Sequence, residues 1–323
     1  MSESRNTSTP RPFRFGAQLP RATSATEWAA AARELEDLGY STLFMPDHFD
    51  DQLAPVPALM AAADATTALR VGSLVLDNDY RHPVVLAKEA ATIDLLSEGR
   101  LELGLGAGWM KTDYEQAGIP YDRAGVRIDR FEEGLAVIKG LLSDDGPVTF
   151  SGDHYTITAH EGTPKPVQKP HPPILIGGGG KRVLSIAGRE ADIVSINFDL
   201  RSGAIGPDVG PSGTAEATRD KLAWVGAAAG DRFADIELSL TIFVGMITDD
   251  PQGLAAAMGP GFGLTPEQAM EMPHVLVGSL DQMVETLQQR REEYGFSYIV
   301  ISSGFTGDAW RTLAPLVAKL AGT

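Results

Sequence analysis

From position 13 onward, short apolar runs alternate with longer stretches in which apolar residues recur every three or four positions. The short runs are 13–19 (FRFGAQL), 41–45 (STLFM), 69–76 (LRVGSLVL), 100–106 (RLELGLG), 174–176, 191–196 (ADIVSI), 236–246 and 297–302. Apolar runs of this length, bounded by turn residues, predict strands buried on both faces. The longer stretches predict helices. Thr26 caps one that carries Trp28, Ala31, Ala32, Leu35 and Leu38 and stops at Gly39. Others follow at 57–67, at 83–96 with Pro83 in its first turn, and at 126–142, 181–188, 214–229, 279–294 and 308–320.

Strands that alternate with helices pair in parallel through right-handed crossovers. Eight such units without a linker predict an α/β chain closed into a (β/α)8 TIM barrel, in preference to an open doubly wound sheet. A barrel of this kind needs only ~250 residues. The surplus falls in segments 145–173, 197–213 and 247–275 and in the N-terminal tail. Segment 147–158 reads as a hairpin around Ser151-Gly152-Asp153, and 161–173 as a proline-rich loop. Segment 197–213 is glycine-rich and is expected to be a mobile loop, and 254–272 to be irregular or short-helical. Residues 1–12 are expected to form a disordered leader and 13–323 a single barrel domain with insertions.

The formal charge of −16 has the wrong sign for a protein that grips nucleic-acid phosphates or an anionic membrane. The chain has no cysteine, which removes disulfides, thiolate catalysis and cysteine-bound metals. No apolar run approaches the ~20 residues of a membrane span, and the N-terminus lacks a signal-peptide core. A cytoplasmic location is therefore expected, with neither nucleic acid nor membrane as a partner. Any anionic ligand needs a locally prepared site.

In a barrel, chemistry collects where strands end. After the second strand comes Pro46-Asp47-His48-Phe49-Asp50-Asp51, which brings a histidine to the mouth. The alternatives there are a loop histidine bonded to Asp47, or a metal site, which no second ligand cluster completes. After the third strand comes Asp77-Asn78-Asp79-Tyr80-Arg81-His82, either a polar loop or part of the site. Gly72 inside that strand signals a bulge or a close contact. After the fourth comes Gly104-Leu105-Gly106-Ala107-Gly108-Trp109, and after the fifth Gly177-Gly178-Gly179-Gly180-Lys181-Arg182. Glycines that open a helix expose N–H groups to an anion, and Lys181 or Arg182 adds charge. Neither a Walker pattern nor a Rossmann fingerprint is present. Two glycine-rich strand ends in one mouth point to a phosphate, with a tight structural turn as the alternative.

The blocks GAQLP, FMPDHF, RHPVVLAKEAATIDLLSEGRLELGLGAGW and KPVQKPHPPILIGGGGKRVLSIAGREADIV resemble the bacterial luciferase-like superfamily, in particular its coenzyme F-420-dependent oxidoreductases. The resemblance is strong over 13–198 and weak over 235–320. It implies a barrel, usually homodimeric, with the cofactor ring in its mouth and a small-molecule substrate above it. His48 matches the family's active-site histidine and is the catalytic candidate. Ala107, Gly108, Gly177, Gly178, Gly179 and Gly180 match positions that contact the cofactor, and Asp47, Trp109 and Lys181 complete that set. Ser73, Leu74 and Val75 match a strand-three bulge where the family often carries a non-prolyl cis peptide behind the ring. The same motifs serve FMN-dependent monooxygenases that use reduced FMN and oxygen, so FMN is the alternative cofactor. A barrel that binds flavin without catalysis is the third reading. Some deazaflavin dehydrogenases carry a glutamate after the glycine loop where this chain has Trp109.

Overall fold

The computed structural model describes residues 10–323, except for the side chains of residues 305 and 306. Eight parallel strands close into a barrel: β1 (Arg14–Gln18), β2 (Thr42–Met45), β3 (Arg70–Ser73), β4 (Leu101–Gly106), β5 (Ile174–Gly178), β6 (Ile193–Ile196), β7 (Glu237–Ile242) and β8 (Phe296–Ser302). Closure runs through β1 and β8, with Arg14 opposite Tyr298, and through β3 and β4, with Val71 opposite Leu101. Helices cover the outside: α1 (Ala25–Asp37), α2 (Pro55–Ala65), α3 (Pro83–Leu96), α4 (Lys111–Ala117), α5 (Ala124–Leu142), α6 (Lys181–Glu190), α7 (Ala215–Ala229), α8 (Pro251–Met258), α9 (Pro266–Glu271) and α10 (Leu280–Tyr294). Three short helices, Ser303–Thr306, Ala309–Thr312 and Ala314–Leu320, end the fold. None of the described helices is long and apolar enough to cross a membrane. The expected leader lies outside the described residues up to position 9; just beyond it, the Arg11 guanidinium donates to the carbonyls of Ala234 and Asp235.

Two apolar populations hold the barrel together. One lies between strands and helices and includes Phe13, Leu35, Leu103 and Phe131. The other fills the interior with Phe44, Leu175, Ile193, Tyr298 and Val300. The Phe44 ring fits because its neighbours lack side chains: a Cβ on Gly72 would stand 2.7 Å from the ring, and one on Gly16 would stand 2.9 Å from it. Gly72 therefore marks a close contact.

The N-terminal end of the barrel is plugged by charge. Arg14 bonds Glu102 at 2.5 Å and Glu237 at 2.5 and 2.8 Å; Arg70 bonds Glu102 at 2.8 Å. The Tyr298 hydroxyl donates to the other Glu102 oxygen at 2.9 Å, and the Arg14 guanidinium lies 3.6 Å from the centre of the Tyr298 ring. The strand-three run breaks after Ser73 and resumes as Leu76–Asp77 against Leu105 and Gly106.

The hairpin is present as Val148–Ser151 antiparallel to Thr156–His160. Segment 247–275 holds the short helices α8 and α9, the short-helical alternative expected of 254–272. It leads into Val275–Gly278, which pairs in parallel with Val244–Ile247 beyond the barrel rim. A small apolar core of Phe198, Val209, Leu264, Met272 and Val275 joins this insertion to segment 197–213.

Candidate active site

A cavity of about 490 Å³ opens at the C-terminal ends of the strands, within the usual range of small-molecule sites. Asp47, His48, Leu74, Val75, Ala107, Gly108, Trp109, all four glycines 177–180 and Lys181 line it. Ser73 does not: it is buried behind the wall, where its hydroxyl donates to the Gly104 carbonyl and accepts from the Gly104 N–H. The Leu74–Val75 peptide bond is cis. Gln18 donates to the Leu74 carbonyl at 2.8 Å, which fixes this bulge from the barrel interior.

His48 is tied to Asp113, not to Asp47. Its Nδ1 lies 2.7 Å from Asp113 Oδ2, so Nδ1–H donates and Nε2 is left to the cavity. Asp113 is buried on α4 and also accepts from the Tyr80 hydroxyl at 3.2 Å. Trp109 stands edge-on to the His48 ring with centroids 5.5 Å apart. The imidazole is thus oriented from two sides, as a proton-transfer group requires.

Asp47 joins a cluster of carboxylates at the ends of β2 and β3. Arg81 grips it with two nitrogens at 2.6 and 3.2 Å, and the Asp77 N–H donates to it at 3.1 Å. Arg130 pairs with Asp79 at 2.9 Å. The Tyr114 hydroxyl lies 3.0 Å from both Asp77 Oδ2 and Asp79 Oδ2. Burial pushes the Asp77 carboxyl up to about 7, helped by the charges of Asp79 and Asp47 and opposed by the Asp79 N–H and Tyr114. Burial and the same carboxylates raise the Tyr80 and Tyr114 hydroxyls. Among the described residues no group of three histidine, aspartate or glutamate side chains is arranged to hold a metal ion.

The glycines after β4 and β5 are not interchangeable. A Cβ on Gly108 would fall 1.9 Å from the Tyr114 hydroxyl, and one on Gly179 would fall 2.1 Å from the Phe198 carbonyl. These two are fixed by packing. Gly180 has nothing within 4 Å of where its Cβ would stand. It is the N-cap of α6 and supplies no side-chain cap, so the helix presents free N–H groups to the cavity. Arg182 is spent on Asp129 and the Gly125 carbonyl. Lys181 makes no ion pair among the described residues. Arg127, on α5, is 4% exposed, faces the cavity and has no carboxylate within ion-pair distance among the described residues. Its Nη atoms reach only the carbonyls of Asp122 and Gly108, it stacks 4.2 Å over the Tyr121 ring, and its Nε has no partner. A buried guanidinium with an idle N–H beside a free helix N-terminus suits an anion.

Segment 197–213 crosses the mouth and is tied at both ends. The Lys111 N–H donates to the Gly203 carbonyl at 3.1 Å, and Gly203 sits against Trp109 and Tyr121. At its roots, buried Lys221 donates to the carbonyls of Asn197 and Ser212. Burial lowers the Lys221 ammonium to about 8. Buried Arg290 does the same for the second insertion, donating to the carbonyls of Met272, Pro273 and Val275. Phe198 and Phe243 stack at 5.4 Å and form an apolar wall of the cavity.

Reading the strand ends did not reach Asp113, Tyr114, Arg127 or Gln18. Asp113 and Tyr114 lie on α4, a short helix without a strong apolar period. Arg127 carried a legible signal: it is in phase with Phe131, Gly134, Leu135 and Ile138 on the buried face of α5, where a charge needs a reason.

A family model described as luciferase-like monooxygenase matches residues 9–258. An FMNH(2)-dependent dimethylsulfone monooxygenase of Pseudomonas putida is 33% identical over 143 residues, which is 44% of this chain and 39% of that protein. An F-420-dependent glucose-6-phosphate dehydrogenase of Amycolatopsis mediterranei is 31% identical over 165 residues, 49% of each. The chain thus spans about half or less of the length of these curated relatives. In three dimensions it resembles the coenzyme F-420-dependent tetrahydromethanopterin reductase of Methanopyrus kandleri, with a TM-score of 0.76 at 19% identity over 96% of this chain and 99% of the other. That likeness shows the fold.

Proposed function

Because the chain belongs to the luciferase-like monooxygenase family, we propose that it is a coenzyme F-420-dependent oxidoreductase that moves a hydride between the deazaflavin and a small organic substrate with a C=O, C=N or C=C group. The observation that carries this reading is His48, held through Nδ1 by Asp113 with Nε2 turned to the cavity. Interconverting an alcohol and a carbonyl, or an amine and an imine, moves a proton along with the hydride, and Nε2 is placed to hold that proton. The F-420-dependent dehydrogenase among its relatives supports the same reading.

The residues fit a planar ring with an anionic tail. Leu74 and Val75 would back the ring; the Gly180 N-terminus, Lys181 and Arg127 would hold the phosphate; Asp47, Ala107, Gly108, Trp109 and glycines 177–179 complete the cradle. A bound deazaflavin supplies the hydride chemistry, and the protein orients substrate, exchanges its proton and excludes water. A second reading, an FMN-dependent monooxygenase, draws support from the FMNH(2)-dependent relative, and the same cradle would take FMN.

Titrating the purified protein with coenzyme F-420 and with FMN, followed by cofactor fluorescence, separates the two. Tighter deazaflavin binding is expected; the reverse order would move the protein to oxygen-dependent chemistry. His48→Ala should leave cofactor affinity nearly intact and lower kcat by roughly 10²–10⁴-fold, as for loss of a general acid or base. Wild-type turnover in that variant would remove His48 from the mechanism.

A further inference from the structure

The carboxylates beside His48 do not balance. Among the described residues, Asp47, Asp77 and Asp79 meet two guanidiniums, Arg81 on Asp47 and Arg130 on Asp79, which Glu89 and Asp122 share, and Asp77 has no ion pair. Asp77 is 6% exposed and lines the cavity. Its partners are the Asp79 N–H at 2.9 Å and the Tyr114 hydroxyl. That hydroxyl carries one proton and faces two carboxylates, so it can serve only one of them at a time. As an anion, Asp77 is therefore a buried charge with no ion pair of its own among the described residues, Arg81 acting on it only at a distance.

A proton on Asp77 resolves the arrangement. The Asp77 O–H then donates to Tyr114 Oη, and the Tyr114 O–H donates to Asp79 Oδ2. The one Tyr114 hydroxyl then serves both carboxylates, and the charge of Asp77 is removed from the cluster. We propose that Asp77 is a second proton-exchanging group of this site, a carboxylic acid that opens to the cavity alongside His48. This rests on the redox reading above only for its effect on turnover; the protonation follows from the protein alone.

The groups that face Asp77 come from every element around it. They are Asp47 and His48 after β2; Asp79, Tyr80 and Arg81 after β3; Glu89 on α3, 3.7 Å from Arg81; Asp113 and Tyr114 on α4; and Arg127 and Arg130 on α5. Neighbouring residues of α4 hold the two proton carriers, Asp113 on His48 and Tyr114 on Asp77. The pH range follows from burial, which brings the Asp77 carboxyl to about 7.

The test is infrared spectroscopy of the ligand-free protein between pH 5 and pH 9. The expected result is a protonated-carboxyl C=O band that disappears as the pH rises through neutrality and is missing from Asp77→Asn. Tyr114→Phe, which takes the same partner from the acid and from the carboxylate, should keep the band and shift its midpoint by less than about one pH unit, the equivalent of one hydrogen bond. With the preferred cofactor, the kcat–pH profile should show a limb near neutrality that Asp77→Asn lacks. Absence of the band at pH 6, or its survival in Asp77→Asn, overturns the proposal. If neither cofactor binds but the band titrates as described, the functional reading fails and the protonation stands. If the cofactor binds and no band appears, the outcome is reversed.

Discussion

The barrel carries a buried charged cluster at each end, and the two are built on different terms. At the N-terminal end two arginines meet two glutamates, Tyr298 completes the hydrogen bonds, and the cavity of about 460 Å³ that Arg14 and Glu237 line meets charges already paired. At the C-terminal end three aspartates meet two arginines, and the remaining carboxylate looks into the pocket beside His48. Charges that balance in place need nothing further from a ligand or a proton. Charges that do not balance must be completed, and the completion changes with pH or occupancy. The same logic separates Arg182, saturated by Asp129, from Arg127, whose Nε has no partner.

Removing Glu102 tests the balanced end and should have the largest effect. Glu102→Ala removes the buried carboxylate shared by Arg14, Arg70 and the Tyr298 hydroxyl, leaving Arg14 only Glu237, and should cost roughly 3–5 kcal/mol in urea unfolding while cofactor affinity is kept. A loss below ~1 kcal/mol, the value of an exposed pair, would show that the plug is not structural.

The unbalanced end should behave in the opposite way. The Asp77 carboxyl titrates at 3.8 when unfolded and at about 7 when folded, so the folded state holds its proton longer. Its contribution is fully present below pH 4 and is lost as the pH rises to 7. Asp77→Asn should therefore gain on wild type across that window, by on the order of 4 kcal/mol at pH 8 relative to pH 4. A constant difference between the two across pH would contradict the charge count.

Arg127→Met offers the finest distinction. It should weaken a phosphate-bearing cofactor by roughly 10–100-fold, the value of a charge-assisted hydrogen bond, and leave a phosphate-free flavin unaffected. Equal weakening of both would make Arg127 a packing residue.

The barrel was legible because each strand is a short apolar run set between turn residues, and 83–96 was bounded correctly by its proline and its apolar period. The cavity lining was legible because a barrel gathers strand ends, which brought His48, Ala107 and glycines 177–180 together. What escaped depends on packing across long sequence separations. Asp113 reaches His48 from 65 residues away and Tyr114 reaches Asp77 from 37, and nothing local to α4 announces either bond. The parallel pairing of 244–247 with 275–278 escaped for the same reason. The glycine run, read as one anion cradle, divides into Gly179, which packing demands, and Gly180, which it does not.

Lys221 and Arg290 hold the roots of the two insertions by main-chain carbonyls alone. Carbonyls belong to every residue type, so this grip is indifferent to which side chains the gripped segments carry. Exposed residues such as Arg201, Ala204 and Ile205 could be exchanged in a laboratory library with the anchorage undisturbed, whereas Phe198 belongs to the apolar core that joins the insertions. The fold thus keeps part of its cavity wall, Arg201 included, separate from the points that anchor it, and that part can change without rebuilding the scaffold beneath.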